Sequence, residues 1–195
     1  MIIGIAGAGG IGSNVARYLA QAGVARIRVV DFDRVEASNL NRQFYGVDQL
    51  GRPKVKCLRD NLKNIFPDME VEVVHHRLAP GESRSVFRDC DLVVEGFDDP
   101  VAKKHLVEEM AGAGIPMVCA SGIAGRDITG IKTRKIGNCH IIGDFSTGVD
   151  DAPLFPPKIG VIGAMMAEKV LALIHEQNRT PDTGKPEDKE NEQTA

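Results

Sequence analysis

Residues 7–12 read Gly-Ala-Gly-Gly-Ile-Gly and follow directly on the apolar run 2–6. The amphipathic segment 11–22 comes next. Strand, glycine turn and helix in that order predict the opening of a βαβ unit, because glycines let the backbone turn tightly and pass close to a phosphate without a Cβ in the way. The helix start behind such a turn offers free N–H groups and a favourable dipole to an anion. Asp31 ends a second apolar run, 26–31, where a ribose hydroxyl would need an acceptor. Gly7, Gly9, Gly10, Gly12 and Asp31 are therefore read as nucleotide-binding. A glycine turn that only packs helix on strand would use the same residues, and the motif does not choose among NAD, FAD and ATP.

The alternation continues. Residues 54–66 carry Val55, Leu58, Leu62 and Ile65 at helical spacing, and 71–75, 92–95 and 117–120 read as strands, with a helix over 101–111. This pattern implies right-handed crossovers and a Rossmann-like α/β fold, a mostly parallel sheet with helices on both faces. Residues 128–135 and 140–145 flank Gly137-Asn138, a hairpin signal that adds antiparallel strands near the C-terminus. A buried helix follows at 159–174, with Gly160 and Gly163 read as points of close approach. The expected organisation is one nucleotide-binding domain, 1–177, and a disordered polar tail, 178–195.

A net charge of −3 argues against a broad nucleic-acid surface, which needs an excess of Lys and Arg. The longest apolar stretch holds Glu168 and Lys169, so no membrane span is expected. Cys57, Cys90, Cys119 and Cys139 are far apart, form no CxxC pair and follow no secretory leader. Reduced thiols in a cytoplasmic protein are expected. His75-His76 reads as an exposed or capped pair.

The segment after Asp31 discriminates between nucleotides. DFDRVEASNLNRQ occupies 31–43, and GRPK occupies 51–54. A triphosphate needs positioned cations, and displacement at its α-phosphate builds further charge on the leaving pyrophosphate. Arg42 sits in a polar loop after the strand. Lys54 stands at a helix start, where it opposes the dipole unless it serves an anion. Solvated surface cations are the bland reading of each.

These residues, with VVEGFDD at 93–99 and KIGVIG at 158–163, resemble the ThiF/MoeB family, the bacterial relatives of ubiquitin-activating enzymes. The resemblance covers nearly the whole chain except the tail, and the GDF…PPKIGVIG ending looks most like the short ThiF branch. It implies an adenylyltransferase acting on a small ubiquitin-like sulfur carrier protein that ends in Gly-Gly, in thiamine thiazole synthesis. It places Asp31 at the ribose, counts Asp33 among the nucleotide-binding residues, and sets Asn39, Arg42, Gln43 and Lys54 around ATP. Asp98 would be the aspartate associated with Mg²⁺. Asp99, followed by Pro100, reads instead as a helix N-cap. Arg42, Lys54 and Asp98 are thus the expected catalytic set, with Asp98 the metal residue. A homodimer is expected from the same resemblance.

Three departures matter. The CxxC pairs that bind structural zinc in many relatives are missing, so no zinc is expected. The connection at 146–159 has no cysteine, which favours adenylation without an enzyme-bound thioester; Cys119 reads as core, and Cys57 and Cys139 have no assigned part. Relatives usually open with a helix whose arginine enters the partner subunit's site, whereas this sequence opens on the first strand: either the sequence is trimmed, or another cation such as Arg17, Arg34 or Arg52 substitutes, or catalysis is impaired. Alternatives are a molybdopterin carrier, a small molecule or modified tRNA base as in dehydratase relatives, an inactive binding module, and a nicotinamide-dependent oxidoreductase. The last leaves Arg42, Lys54 and SNLNRQ without a task.

Overall fold

The computed structural model describes residues 1–179. The central strands β1 (Ile3–Ala6), β4 (Leu92–Glu95) and β5 (Met117–Ala120) are buried at every position, as continuous apolar runs covered on both faces must be. Outside them run β2 (Arg26–Val30) and β3 (Glu70–Val74) on one side, and β7 (Cys139–Gly143) and β6 (Lys132–Ile136) on the other. The sheet order is β3-β2-β1-β4-β5-β7-β6. Among the described strands only β6 runs antiparallel to its neighbour; β7 pairs parallel with β5, in the register Cys119↔Ile141. The hairpin at Gly137-Asn138 thus contributes one antiparallel pair, with Ile136 opposite Cys139 and Gly137 at φ +57°.

Helices α1 (Gly10–Gln21), α2 (Lys54–Ile65) and α5 (Pro156–Arg179) cover one face. Val15, Leu19, Leu58, Ile162 and Met166 meet Ile3, Ile5 and Val29 there. The short α3 (Ser83–Val86) and α4 (Pro100–Ala113) lie on the opposite side. Phe87, Leu106 and Met110 pack there against Val93 and Met117. Gly4 makes room for that layer: a Cβ on it would stand 2.7 Å from the Phe87 ring. Gly163 lets α5 approach α1, with Asn14 Cβ 3.2 Å from where its own Cβ would be. Gly160 has open space around it instead, so close packing does not explain that glycine.

Two elements differ from the sequence reading. α3 is too short to leave a periodic pattern. α5 begins at Pro156 and continues through Arg179, past the expected domain end at 177; the rest of the expected tail lies outside the described residues. Among the described residues, no helix is long and apolar enough to cross a membrane.

Strand order reverses between β1 and β4: β1 leads outward to β2 and β3, and the chain then returns to the other side of β1. Such a switch point opens a crevice at the carboxyl ends of the strands, where open α/β sheets bind ligands.

Candidate functional site

Gly7 and Gly96 frame the crevice. Gly7 leaves β1 at φ +93°, and a Cβ there would stand 2.7 Å from the Gly96 carbonyl oxygen. Gly12 serves packing: its Cβ would lie 1.8 Å from the Gly7 carbonyl oxygen. Only a glycine lets α1 start this close to the turn. A cleft of about 300 Å³ opens above, lined by Gly7, Gly9 and Gly10 among others.

Asp31 enters from the end of β2 and is buried. Its Oδ2 accepts the Ala8 N–H at 2.6 Å, and its Oδ1 accepts the Asp33 N–H at 2.7 Å. Burial pushes the carboxyl up, against the pull of these amides and of Lys54. Each oxygen retains a lone pair for a ribose hydroxyl. Asp33 is tied to the first turn of α2, where Lys54 Nζ donates to its Oδ2 at 3.0 Å. The Lys54 side chain is 7% exposed. A cation held at that depth, at the start of a helix, can reach an anion in the cleft without reorganising.

Arg42 and Gln43 come over the glycine turn from the loop after β2. Asn14 fixes that loop by donating to the Gly10 and Arg42 carbonyls at 2.7 and 2.9 Å. Tyr45 donates its hydroxyl to the Ala8 carbonyl at 2.7 Å. Arg42 Nη1 bonds Ser38 O and Asn41 Oδ1, while its Nε and Gln43 Oε1 are buried without a partner among the described residues. Unsatisfied polar atoms beside a glycine turn are what a ligand site requires. Asn39 stands outside the lining. Its Oδ1 accepts the Glu36 N–H at 3.1 Å, and its carbonyl accepts the Arg42 and Gln43 N–H groups, so it shapes the loop that presents them.

On the β4 side, Asp98 lines the cleft and has no hydrogen-bond partner among the described residues. Asp99 caps α4, accepting from the Val101 and Ala102 amides. The neighbouring aspartates thus have different tasks. Among the described residues, no three of His, Cys, Asp or Glu gather into a metal-holding group. One free carboxylate beside a phosphate cleft still suits Mg²⁺, which keeps its waters and takes phosphate oxygens.

Two features were not read from the sequence. Glu95 and Lys103 form an ion pair in the cleft wall at 3.0 Å, with Glu95 fully buried. The signal was available: a charge closes the apolar strand LVVE, with a lysine eight residues on. Lys158, 1% exposed, bonds Asp144 at 2.6 Å and the Ala124 carbonyl at 2.5 Å. It joins the segment after β5 to the start of α5, and Ile123, Leu154 and Ile159 of these segments line the cleft.

The cysteines are all buried. Cys119 and Cys139 approach to 3.1 Å between β5 and β7. The Cys139 sulfur and burial together push the Cys119 thiol up, and burial pushes the Cys90 thiol to about 11. Protonated thiols are poor nucleophiles. His75 and His76 bond Phe32 O and Glu82, the capped pair expected.

Residues 1–192 match the model of the ThiF family. The chain belongs to the ThiF family. It is 31% identical over 91% of its length to the adenylyltransferase and sulfurtransferase UBA4 of Yarrowia lipolytica, and spans 47% of that protein. It is 30% identical over 87% of its length to the molybdopterin-synthase adenylyltransferase of Escherichia coli, spanning 71% of it. Among solved structures, E. coli tRNA N6-threonylcarbamoyladenosine dehydratase shares the fold. The TM-score is 0.76 at 22% identity, with 90% of this chain and 88% of that one covered. E. coli MccB crystallised with ATP gives a TM-score of 0.69 at 21% identity, covering 90% and 56%.

Proposed function

We propose that this ThiF-family protein adenylates the C-terminal glycine carboxylate of a small ubiquitin-like sulfur carrier, releasing pyrophosphate. The observation that supports it best is the cation pair on the glycine turn: Arg42 with an unpartnered buried Nε, and Lys54 held at a helix start by Asp33. A dinucleotide's pyrophosphate does not call for both. Two positioned cations suit a triphosphate whose β,γ-portion leaves with added charge.

Asp31 holds the ribose, and Gly7, Gly9 and Gly10 leave room for the phosphates. Arg42, Gln43 and Lys54 surround the triphosphate. Mg²⁺ held by Asp98 would neutralise phosphate charge. The step needs orientation and charge balance, not an enzyme nucleophile, consistent with the burial of all four cysteines.

Two carriers are in view. The sulfur carrier of thiamine thiazole synthesis is favoured by the compact GDF…PPKIGVIG ending. The molybdopterin carrier is favoured by the 30% identity to the E. coli molybdopterin-synthase enzyme. Pyrophosphate–ATP exchange with each purified carrier separates them: exchange is expected with one and should vanish when its terminal glycine is removed. Exchange independent of any carrier would contradict the proposal. A homodimer through the exposed side of α5, which carries Val161 and Ala164, completes the reading; light scattering tests it, and a monomer at micromolar concentration would contradict it.

A further inference from the structure

We propose that Lys103, held by Glu95, forms the subsite for the acyl carboxylate at the β4–β5 end of the cleft. This rests on the adenylation reading and assigns a group which that reading does not use.

Glu95 closes β4 with none of its side chain exposed. Its Oε1 accepts the Phe97 N–H at 2.8 Å, and its Oε2 lies 3.0 Å from Lys103 Nζ. An ion pair whose carboxylate is carried this far from water is poor evidence for stability, because an apolar pair of similar volume serves a core as well or better. Its position suggests another task. Lys103 reaches back from the first turn of α4 and donates also to the Ala120 carbonyl at 2.8 Å, at the end of β5. An ammonium has three N–H donors. One bonds the Ala120 carbonyl, a second faces the Glu95 carboxylate, and the side chain is 31% exposed on the cleft wall. The third donor is available to a ligand.

Strand order decides which ligand. Asp31 stands at the end of β2, while Lys103 bridges the ends of β4 and β5, across the switch point. Arg42 and Lys54 serve the triphosphate from the β2 side. The second substrate must bring a carboxylate against a negatively charged α-phosphate, and a preorganised cation on the far side offsets that repulsion. In the step, one carboxylate oxygen bonds to the α-phosphorus. The bond from that phosphorus to the bridging oxygen breaks, pyrophosphate leaves with the electron pair, and no proton moves. Lys103 donates to the other carboxylate oxygen, which becomes the carbonyl oxygen of the acyl-adenylate.

The test uses 5′-O-(N-glycylglycyl-sulfamoyl)adenosine, an uncleavable acyl-adenylate mimic, beside AMP. Calorimetry should show the mimic binding the wild-type protein more tightly than AMP. In the double variant Glu95→Gln with Lys103→Met, which leaves no unpaired buried charge, that advantage should fall about tenfold, as for loss of one hydrogen bond to a charged donor. AMP affinity should hold within about twofold on the same reasoning. A preserved advantage would overturn the subsite. A second readout needs no variant: in the wild-type protein the mimic, and not AMP, should protect Lys103 from reductive methylation followed by mass spectrometry. Equal protection by both would also overturn it. Failure of the wild-type protein to bind AMP and ATP would instead remove the adenylation reading itself.

Discussion

Lys158→Met removes the cation that joins the start of α5 to the end of β7 while keeping most of the side-chain volume. Lys158 and Asp144 are 1% and 9% exposed, and their charged atoms lie 2.6 Å apart. Stripping one partner from a buried pair costs about 3–5 kcal/mol. Titration sets a ceiling. At pH 7 the stranded carboxylate can take up a proton, which costs about 1.4 kcal/mol per pH unit above a reference near 3.9, or ~4 kcal/mol. The expected loss is therefore about 3–4 kcal/mol at pH 7, a fall of roughly 10 °C in Tm for a chain of this size. At pH 4.5 the same protonation costs under ~1 kcal/mol, so the penalty should shrink by more than half. In the wild-type protein burial pushes the Asp144 carboxyl up, but Lys158 and the Ser146 and Thr147 amides outweigh it and hold it well below the usual range. A depressed carboxyl contributes stability above its unfolded value, lost as pH falls through the folded one. The wild-type protein should thus lose this contribution only below about pH 4, by the same linkage. The chain has no Trp, so urea unfolding followed by far-UV circular dichroism at both pH values is the assay. Both amides bond Asp144 Oδ1, which an asparagine oxygen can replace, so adding Asp144→Asn should recover at least half of the loss. Equal penalties at the two pH values, or no recovery, would refute the reasoning.

Asp98→Asn should lower carrier-dependent pyrophosphate exchange by ~10²–10³-fold with Tm nearly unchanged. Asp99→Ala should do the reverse, costing about 1 kcal/mol of stability as a lost cap, read from thermal melts. The same losses from both would erase the distinction between them. Gly12→Ala places a Cβ 1.8 Å from the Gly7 carbonyl oxygen; it should cost at least ~2 kcal/mol and abolish ATP binding by calorimetry, since α1 must move off the turn. Tyr45→Phe removes the 2.7 Å bond to the Ala8 carbonyl. It should cost ~1 kcal/mol and raise the KM for ATP more than it lowers kcat, because it loosens the phosphate turn without touching the reacting atoms.

The parallel half of the fold was legible because each buried strand is a short apolar run and each long helix keeps its period. Gly137-Asn138 marked its hairpin, but nothing local says that β7 pairs parallel with β5; that pairing joins residues more than twenty apart. The four residues of α3 complete one turn and leave no stripe to read. At the site, the glycine turn, Asp31, Arg42, Gln43, Lys54 and Asp98 converge on one cleft. Asn39 looked like its loop neighbours in sequence, and only its bonds to the Glu36, Arg42 and Gln43 N–H groups show it shaping the loop. Glu95 with Lys103, and Lys158 with Asp144, escaped notice because a buried ion pair is defined by its partner. A lone lysine in a sequence defaults to the surface.

The central claim is that a carrier's terminal carboxylate attacks the α-phosphorus of ATP. The direct measurement incubates protein and carrier with ATP radiolabelled at either the α- or the γ-phosphate, then follows label on the carrier after rapid acid quench. Label is expected from the α-position alone, with γ-label released as pyrophosphate, and it should be lost with Arg42→Ala. Label transferred from the γ-position, or α-label indifferent to Arg42, would contradict the account.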